Sequence, residues 1–390
     1  MEEEVVSNIM ITEIDELAEQ DAICKKCNFD ATQLDKVDSK FSTTVLIERC
    51  KTLKTYQAQL EVLKKIPLHP QKSKEWYKQR ENLVTASDFG QSLGDGLYGL
   101  PKQVIIKKCD IVDESSFDNP AFRHGNLYED VAVSIYEHIM DVTIHDFGLI
   151  KHPTIEWFGA SPDGISDLGI MLEIKCPWKR ILDGHIPLQY MYQIQGQLDT
   201  CQLSECHYLE LQIKKYDNYD SFLEHIDDTL IKGIVVENVG ENPKWNYSTI
   251  KYEDSPLHKE YFDTFLQQHV RNTSVIEYYF VERINLRRVK KDPEFLREKL
   301  GLLKDFWENI LMYRNNHEKF LFEVKKRSFV DTVPYIGKIT PKRLGFLPPE
   351  DDIDAVVPYA KQTLEDDICA KQTTACPENL GFLLTEDDLI

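Results

Sequence analysis

No apolar run in this chain approaches the roughly 20 residues that a membrane-spanning helix needs, so nothing in it reads as a span. The opening Met1-Glu2-Glu3-Glu4 lacks the cationic and apolar regions of a signal peptide. Cys24-Lys25-Lys26-Cys27 has no second cysteine pair and no nearby histidine, so two ordinary thiols are expected there rather than zinc. The nine cysteines fit reduced thiols, and the expectation is a soluble intracellular chain. Net positive charge is also missing: the formal charge is −20. Phosphates repel acid, so the chain as a whole is a poor partner for a polyanion.

The acid is unevenly placed. Residues 1–40 carry a net −7 and residues 344–390 a net −9. Taking −7 and −9 from −20 leaves only −4 on residues 41–343. A near-neutral body can still carry a basic groove between two acidic ends. At 390 residues the chain holds one large or two ordinary domains.

The densest chemistry lies between Gly159 and Trp178. Ser161-Pro162-Asp163-Gly164 has turn residues at turn positions. Gly169 to Cys176 reads as a strand, in which Ile170, Leu172, Ile174 and Cys176 alternate with Met171, Glu173 and Lys175. The strand period of two sends Glu173 and Lys175 from one face. If the segment is a hairpin, Asp163 folds back against them. Two carboxylates and an ammonium then converge, and carboxylate oxygens suit a hard divalent cation such as Mg²⁺. A lysine beside such an ion can orient or deprotonate an attacking water. A surface hairpin with a Glu/Lys pair is the bland alternative.

Other segments add to this one. Phe41 to Ile66 is expected to be helical, with Val45, Ile47, Leu53, Leu60, Leu63 and Ile66 as a partial apolar stripe. Ser73 can cap a short helix through Arg80, and Thr85-Ala86-Ser87-Asp88 opens a second, capped by Ser87 or Thr85. A helix start and an Arg fork both suit an anion. Lys102, Lys107, Lys108 and Arg123 lie on a stretch open to two readings, phosphate contacts or a solvated face. His124 to Met140 reads as a helix with Glu129 in its first turns, and Asp146 to Trp157 as a strand pair. Leu188 to Thr200 is expected to be a helix with Gln189, Gln193 and Gly196 on one face. His207 to Ile213 is expected to be a strand, Val275 to Val289 a strand or strand pair, and Asp292 to about Tyr313 a helix.

Five blocks occur in order: Trp76-Tyr77 with Arg80; Val84 to Asp88; His124-Gly125-Asn126 with Tyr128-Glu129; Gly159 to Trp178; and Gln189 to Gln197. Together they resemble the lambda-exonuclease / YqaJ-type recombinase nucleases of phages and large DNA viruses, within the PD-(D/E)XK superfamily. The resemblance covers about Lys74 to Ile213, roughly a third of the chain. It implies an α/β fold, a central mixed sheet flanked by helices, with helical N-terminal and C-terminal additions. It divides the chain into an acidic segment and accessory helix (1–70), a nuclease domain (71–330) and an acidic tail (331–390).

The resemblance further implies a Mg²⁺-dependent DNA exonuclease, 5′→3′ on double-stranded ends, with Mn²⁺ able to substitute. Asp163 and Glu173 would bind the metal with the Ile174 carbonyl, and Glu129 would serve a second ion or a water. Lys175 would position the nucleophile. Arg80, Ser87 and Ser161 would bind a 5′-phosphate, and Gln193, with Gln195 as second choice, would sit at the active site. A structure-specific endonuclease or RNA-cleaving enzyme on the same core, and a non-catalytic DNA-binding protein, are the alternatives. A ring-shaped homo-oligomer is a further implication. The tail repeats Leu344-Gly345-Phe346-Leu347 and Leu380-Gly381-Phe382-Leu383, each followed by Glu-Asp-Asp. Apolar anchors before acids suit a linear motif for a single-strand annealing or replication partner.

Overall fold

The computed structural model describes residues 9–10, 12–34, 36–109, 119–225, 230–238, 244–248 and 259–325. The repeated tail motif lies outside the described residues. In chain order come β1 (Ile9–Met10), α1 (Thr12–Lys26), α2 (Ala31–Leu34), α3 (Thr43–Leu63), α4 (Lys74–Glu81), β2 (Val84–Thr85), α5 (Ala86–Leu93) and α6 (Pro101–Cys109). Next are α7 (Pro120–Met140), β3 (Ile144–His145), β4 (Ile150–Lys151), β5 (Phe158–Ala160), β6 (Gly164–Ser166), β7 (Met171–Lys175) and α8 (Leu188–Cys201). Then follow β8 (Glu205–Lys215), α9 (Tyr219–Glu224), β9 (Lys232–Asn238), β10 (Lys244–Tyr247), α10 (Lys259–His269), β11 (Ser274–Lys290), α11 (Phe295–Asn315) and α12 (His317–Phe320). The described residues fall into two compact units, one reaching Ile310 and one beginning at Leu311. In the second, Tyr313 packs edge-on against Phe320 and donates to Glu323 at 3.2 Å.

An eight-stranded mixed sheet organises the first unit, in the order β10-β9-β11-β8-β7-β6-β3, with β1 added parallel to β11. The expected mixed sheet flanked by helices is therefore the observed core. β6 and β7 form the anticipated antiparallel hairpin, with Gly164 opposite Leu172 and Ile165 opposite Met171. β7 and β8 run parallel with α8 as the crossover between them. β11 is one strand of 17 residues, longer than expected. Its first half pairs with β9 and the remainder with β8, and the register shifts between Val281 and Arg283. β8 is buried over its first nine residues, which explains its weak alternation in sequence.

The strand period sorts β7 and β8 into two faces. Leu172, Ile174, Leu209, Leu211 and Ile213 join α7 and the N-terminal helices in one apolar cluster. Met171, Cys206 and Tyr208 join Tyr190, Ile194 and Leu198 of α8 in another. α5 packs tightly on α8: a Cβ at Gly196 would lie 3.2 Å from Ala86, Phe89 and Phe158 atoms, so a small residue is required there. A smaller sheet, β2-β5-β4, pairs Thr85 with Gly159 in parallel. β2 runs straight into α5 and β5 straight into Ser161, so this pairing brings the start of α5 to the Ser161 turn.

Several expectations need correction. The buried stripe of α3 is Leu46, Arg49, Cys50, Leu53, Tyr56, Leu60 and Leu63, with Val45 and Ile66 exposed. Arg49 can lie in that stripe because Asp21 meets its guanidinium at 2.6 and 2.9 Å and Glu205 at 3.4 Å. Glu129 is not in the first turns of its helix, because α7 begins at Pro120, with Asn119 as cap. Asp146 to Trp157 holds only the two-residue β4. Cys24 and Cys27 are buried in the main core. Among the described residues no helix is long and apolar enough to cross a membrane.

Leu209 is fully buried in mid-sheet and Val62 is 63 % exposed on α3. Leu209→Ala should cost about 2–5 kcal/mol by leaving a cavity, and Val62→Ala less than about 0.5 kcal/mol. Urea midpoints of the two variants check this; equal midpoints would contradict the burial.

Candidate active site

The β6–β7 hairpin brings the sequence trio together. The Ile174 amide donates to Asp163 Oδ2 at 2.7 Å, which folds the turn carboxylate back over the strand. Glu173 and Lys175 leave the same face, and Lys175 Nζ donates to Glu173 Oε1. Glu173 is fully buried, and a buried carboxylate demands partners. Gln193 Nε2 donates to its Oε1 at 2.6 Å and Gln197 Nε2 to its Oε2 at 2.7 Å. Both glutamines come from α8, one turn apart. Gln197 also reaches the Ser161 carbonyl at 3.4 Å, which links the helix to the turn before Asp163.

Charge in this cluster is crowded. Burial and the neighbouring Glu173 and Glu129 charges push the Asp163 carboxyl well above its ordinary range, against the pull of Lys175 and the Ile174 amide. Burial disfavours the Lys175 ammonium, but Glu173 and Asp163 outweigh it and hold its pKa above the usual lysine range. Lys175 also lies 5.1 Å from the Tyr190 ring centre.

A second cluster forms at the start of α5. Ser73 caps α4 by accepting the Trp76 amide at 3.2 Å. The Arg80 guanidinium stacks over the Trp76 ring at 4.4 Å and donates to Ser87 Oγ at 3.3 Å. The Trp76 indole N–H donates to Ser161 Oγ at 3.0 Å. Arg80, Ser87 and Ser161 are thus brought together through one tryptophan. All three are partly exposed, as a ligand site requires. Ser161 lies two residues from Asp163, so the two clusters are contiguous.

Not every expected residue stands there. Gln195 is buried on another side of α8, where it donates to the Lys290 carbonyl at 2.9 Å and accepts the Asp292 amide at 2.8 Å. Two residues along a helix turn the side chain away by about 200°, so Gln195 cannot accompany Gln193. It ties α8 to the end of β11 instead. Glu129 influences Asp163 electrostatically, but its carboxylate is 3.1 Å from Lys72 Nζ. Among the described residues no three His, Cys, Asp or Glu side chains gather into a metal cage. Lys108 is buried rather than solvated, and Arg123 pairs with Glu237 and Glu277. Gln197 and Trp76 stand in the motif blocks but were given no role of their own, and Gln71, which donates to the Pro162 carbonyl at 2.9 Å, was not named. The helical spacing from Gln193 to Gln197 is the signal that could have found one of them.

Residues 75–204 match the family described as the YqaJ-like viral recombinase domain. Over 332 residues the chain is 28% identical to an uncharacterized protein of Acanthamoeba polyphaga mimivirus, a match covering 72% of this chain and 60% of that protein. The chain thus spans less than two thirds of the length of that curated relative. Among solved structures, an alkaline exonuclease from Laribacter hongkongensis aligns over 63% of this chain and 97% of its own, at 18% identity and a TM-score of 0.39. A phage-related exonuclease from Haemophilus somnus aligns over 60% of this chain and 98% of its own, at 12% identity and a TM-score of 0.34. The family match falls inside the segment that carries the five motif blocks, and over residues 75–204 the chain is similar to the YqaJ-like viral recombinase domain.

Proposed function

We propose that this chain is a metal-dependent DNA exonuclease that degrades double-stranded ends in the 5′→3′ direction. The observation that carries the reading is the convergence of Asp163, Glu173 and Lys175 on one hairpin inside the matched domain. The polarity and end-dependence follow from the family resemblance. The viral relative and the family description support a place in viral DNA recombination or replication.

The residues fit a hard cation. Asp163 and Glu173 supply carboxylate oxygens, and the crowding that forces Asp163 toward its neutral form is what a divalent ion relieves. Mg²⁺ is commonly held by one or two carboxylates with waters and substrate phosphate, so Asp163, Glu173 and the Ile174 carbonyl are the proposed ligands, with Mn²⁺ as a substitute. Glu129 would act at longer range, once released from Lys72. When bound, the metal supplies an acidified water and neutralises phosphate charge. The chain's own contribution is positional. Gln193 and Gln197 hold Glu173 in one orientation without adding charge. Lys175 stays an ammonium beside two acids, which suits orienting a water and stabilising the pentavalent phosphate more than removing a proton. Arg80, Ser87 and Ser161 would hold the terminal 5′-phosphate.

Linear 5′-phosphorylated duplex should be degraded in Mg²⁺ and spared in EDTA, while a covalently closed circle stays intact. Lys175→Ala should lower the rate by about 100-fold or more with folding unchanged. Circle cleavage as fast as linear cleavage would establish an endonuclease instead, and wild-type activity in Lys175→Ala would refute the mechanism.

The raised pKa of Asp163 also sets a stability test. The fold holds this proton at pH values where the unfolded chain has released it. Its stabilising effect is complete below the ordinary aspartate value and fades as pH rises toward the folded value. In EDTA at neutral pH, Asp163→Asn should therefore melt above wild type, and the gap should close toward pH 4. Mg²⁺ should raise the wild-type melting temperature and leave the variant unmoved. A variant that melts below wild type in EDTA at neutral pH would contradict the crowded-carboxylate account.

A further inference from the structure

Behind the Arg80–Ser87 pair lies a charged group that the proposed chemistry does not use. Lys108 of α6 is 4% exposed, with Nζ 2.8 Å from the Arg80 carbonyl and 3.0 Å from Asp88 Oδ2. The Asp88 carboxylate accepts from the Thr85 amide at 3.2 Å and from Thr85 Oγ1 at 2.7 Å. Thr85 Oγ1 lies 2.9 Å from Ser87 Oγ, and Ser87 Oγ accepts from Arg80 at 3.3 Å. These bonds close a ring through α4, α5 and α6, and the ammonium of Lys108 is where the three helices meet.

A buried ion pair is a costly way to fill space, and an apolar side chain of like volume often serves stability as well. What the pair supplies here is registry. Among the described residues, Lys108 holds the Arg80 backbone and the Asp88 carboxylate, which belong to the helices that carry Arg80 and Ser87. We infer that Lys108 is a positioning residue of the phosphate pocket, which locks the Arg80 fork against Ser87 so that together they receive a terminal phosphomonoester of a nucleic-acid strand. The identity of that ligand rests on the exonuclease reading.

Among the described residues, Asp88, Lys107 and Arg80 are the charged groups that face the Lys108 ammonium. Burial lowers its pKa, Asp88 opposes the shift, Lys107 and Arg80 add to it, and the result is about 8. Raising pH through that value removes the Lys108 charge, while Arg80 stays protonated and a phosphomonoester, with its second pKa near 6, is already a dianion.

The test is equilibrium binding of short duplexes with 5′-phosphate or 5′-hydroxyl ends to the full chain in EDTA, where no cleavage is needed. Wild type at pH 7 should favour the phosphate end by about tenfold, the scale of one charge-assisted hydrogen bond. Lys108→Met should reduce the preference to about twofold or less while keeping its affinity for the hydroxyl end. The wild-type preference should shrink in the same way between pH 7 and pH 9.5. A folded Lys108→Met that keeps the preference overturns the inference, as does a wild-type preference indifferent to pH. If Asp88, left without its closest cation, prevents the variant from folding, the wild-type titration decides alone. Wild type without any preference overturns both the inference and the phosphate assignment of Arg80, Ser87 and Ser161. Failure of the exonuclease reading would appear separately, as an intact binding preference with no hydrolysis in Mg²⁺.

Discussion

A carboxylate that is shut away from water must find its partners inside the protein, and Glu173 sets that demand for the whole candidate site. Its two oxygens are filled from two directions: by Lys175 from its own strand, and by Gln193 and Gln197 from the crossover helix. The demand fixes how α8 must lie on β7. Gly196 lies beside these glutamines on the helix, and its lack of a side chain lets α5 approach closely there. Through α5 the same constraint extends to Ser87, and through the Ser161 carbonyl to the turn that carries Asp163.

The parts of this arrangement that follow one-dimensional periods were readable in advance. A period of two placed Glu173 and Lys175 together, and turn residues placed Asp163 ahead of them. The cap at Ser73 marked one helix start, and of Ser87 and Thr85, the two caps offered for the next, Thr85 is the one observed. What escaped depends on pairing between distant segments. β8 and β11 were anticipated as strands, but burial of nine consecutive residues weakened the alternation of β8, so its ends extend beyond the expected bounds. Gln195 stood as second choice to Gln193 because the residue type fitted, but helical geometry sends it to the β11 end. Arg49 was invisible as a core residue because its acidic partners, Asp21 and Glu205, lie 28 and 156 positions away.

That buried network also bears on the additions to the matched domain. Arg49 and Asp21 lie before residue 75, and Arg288 lies after residue 204, yet all converge near Glu205 at the start of β8. Tyr56 adds a hydroxyl to Glu205 at 3.2 Å, and His207 lies 3.3 Å from its other oxygen. An ion-paired cluster of this kind is weak evidence for added stability. Its defined geometry is better suited to fixing where the N-terminal helices dock. The formal charge of −20 is therefore a poor guide to local fields, since acids are consumed in such internal pairs and others are confined to the chain ends.

The choice of glutamine over lysine or arginine around Glu173 follows from charge balance. Two acids and one ammonium leave the cluster one negative charge when both acids are ionised, and none when Asp163 holds its proton. A second or third cation on α8 would satisfy Glu173 equally well as a hydrogen-bond donor. It would also repel a divalent ion and remove the reason for one to enter. Neutral amides hold the carboxylate in place while leaving the electrostatic deficit intact. The proposed phosphate pocket shows the opposite balance among the described residues, where Arg80, Lys107 and Lys108 lie around Asp88. Contiguous sites of opposite charge excess, joined through Ser161 and Trp76, suit a ligand that brings a metal to one side and a phosphate to the other.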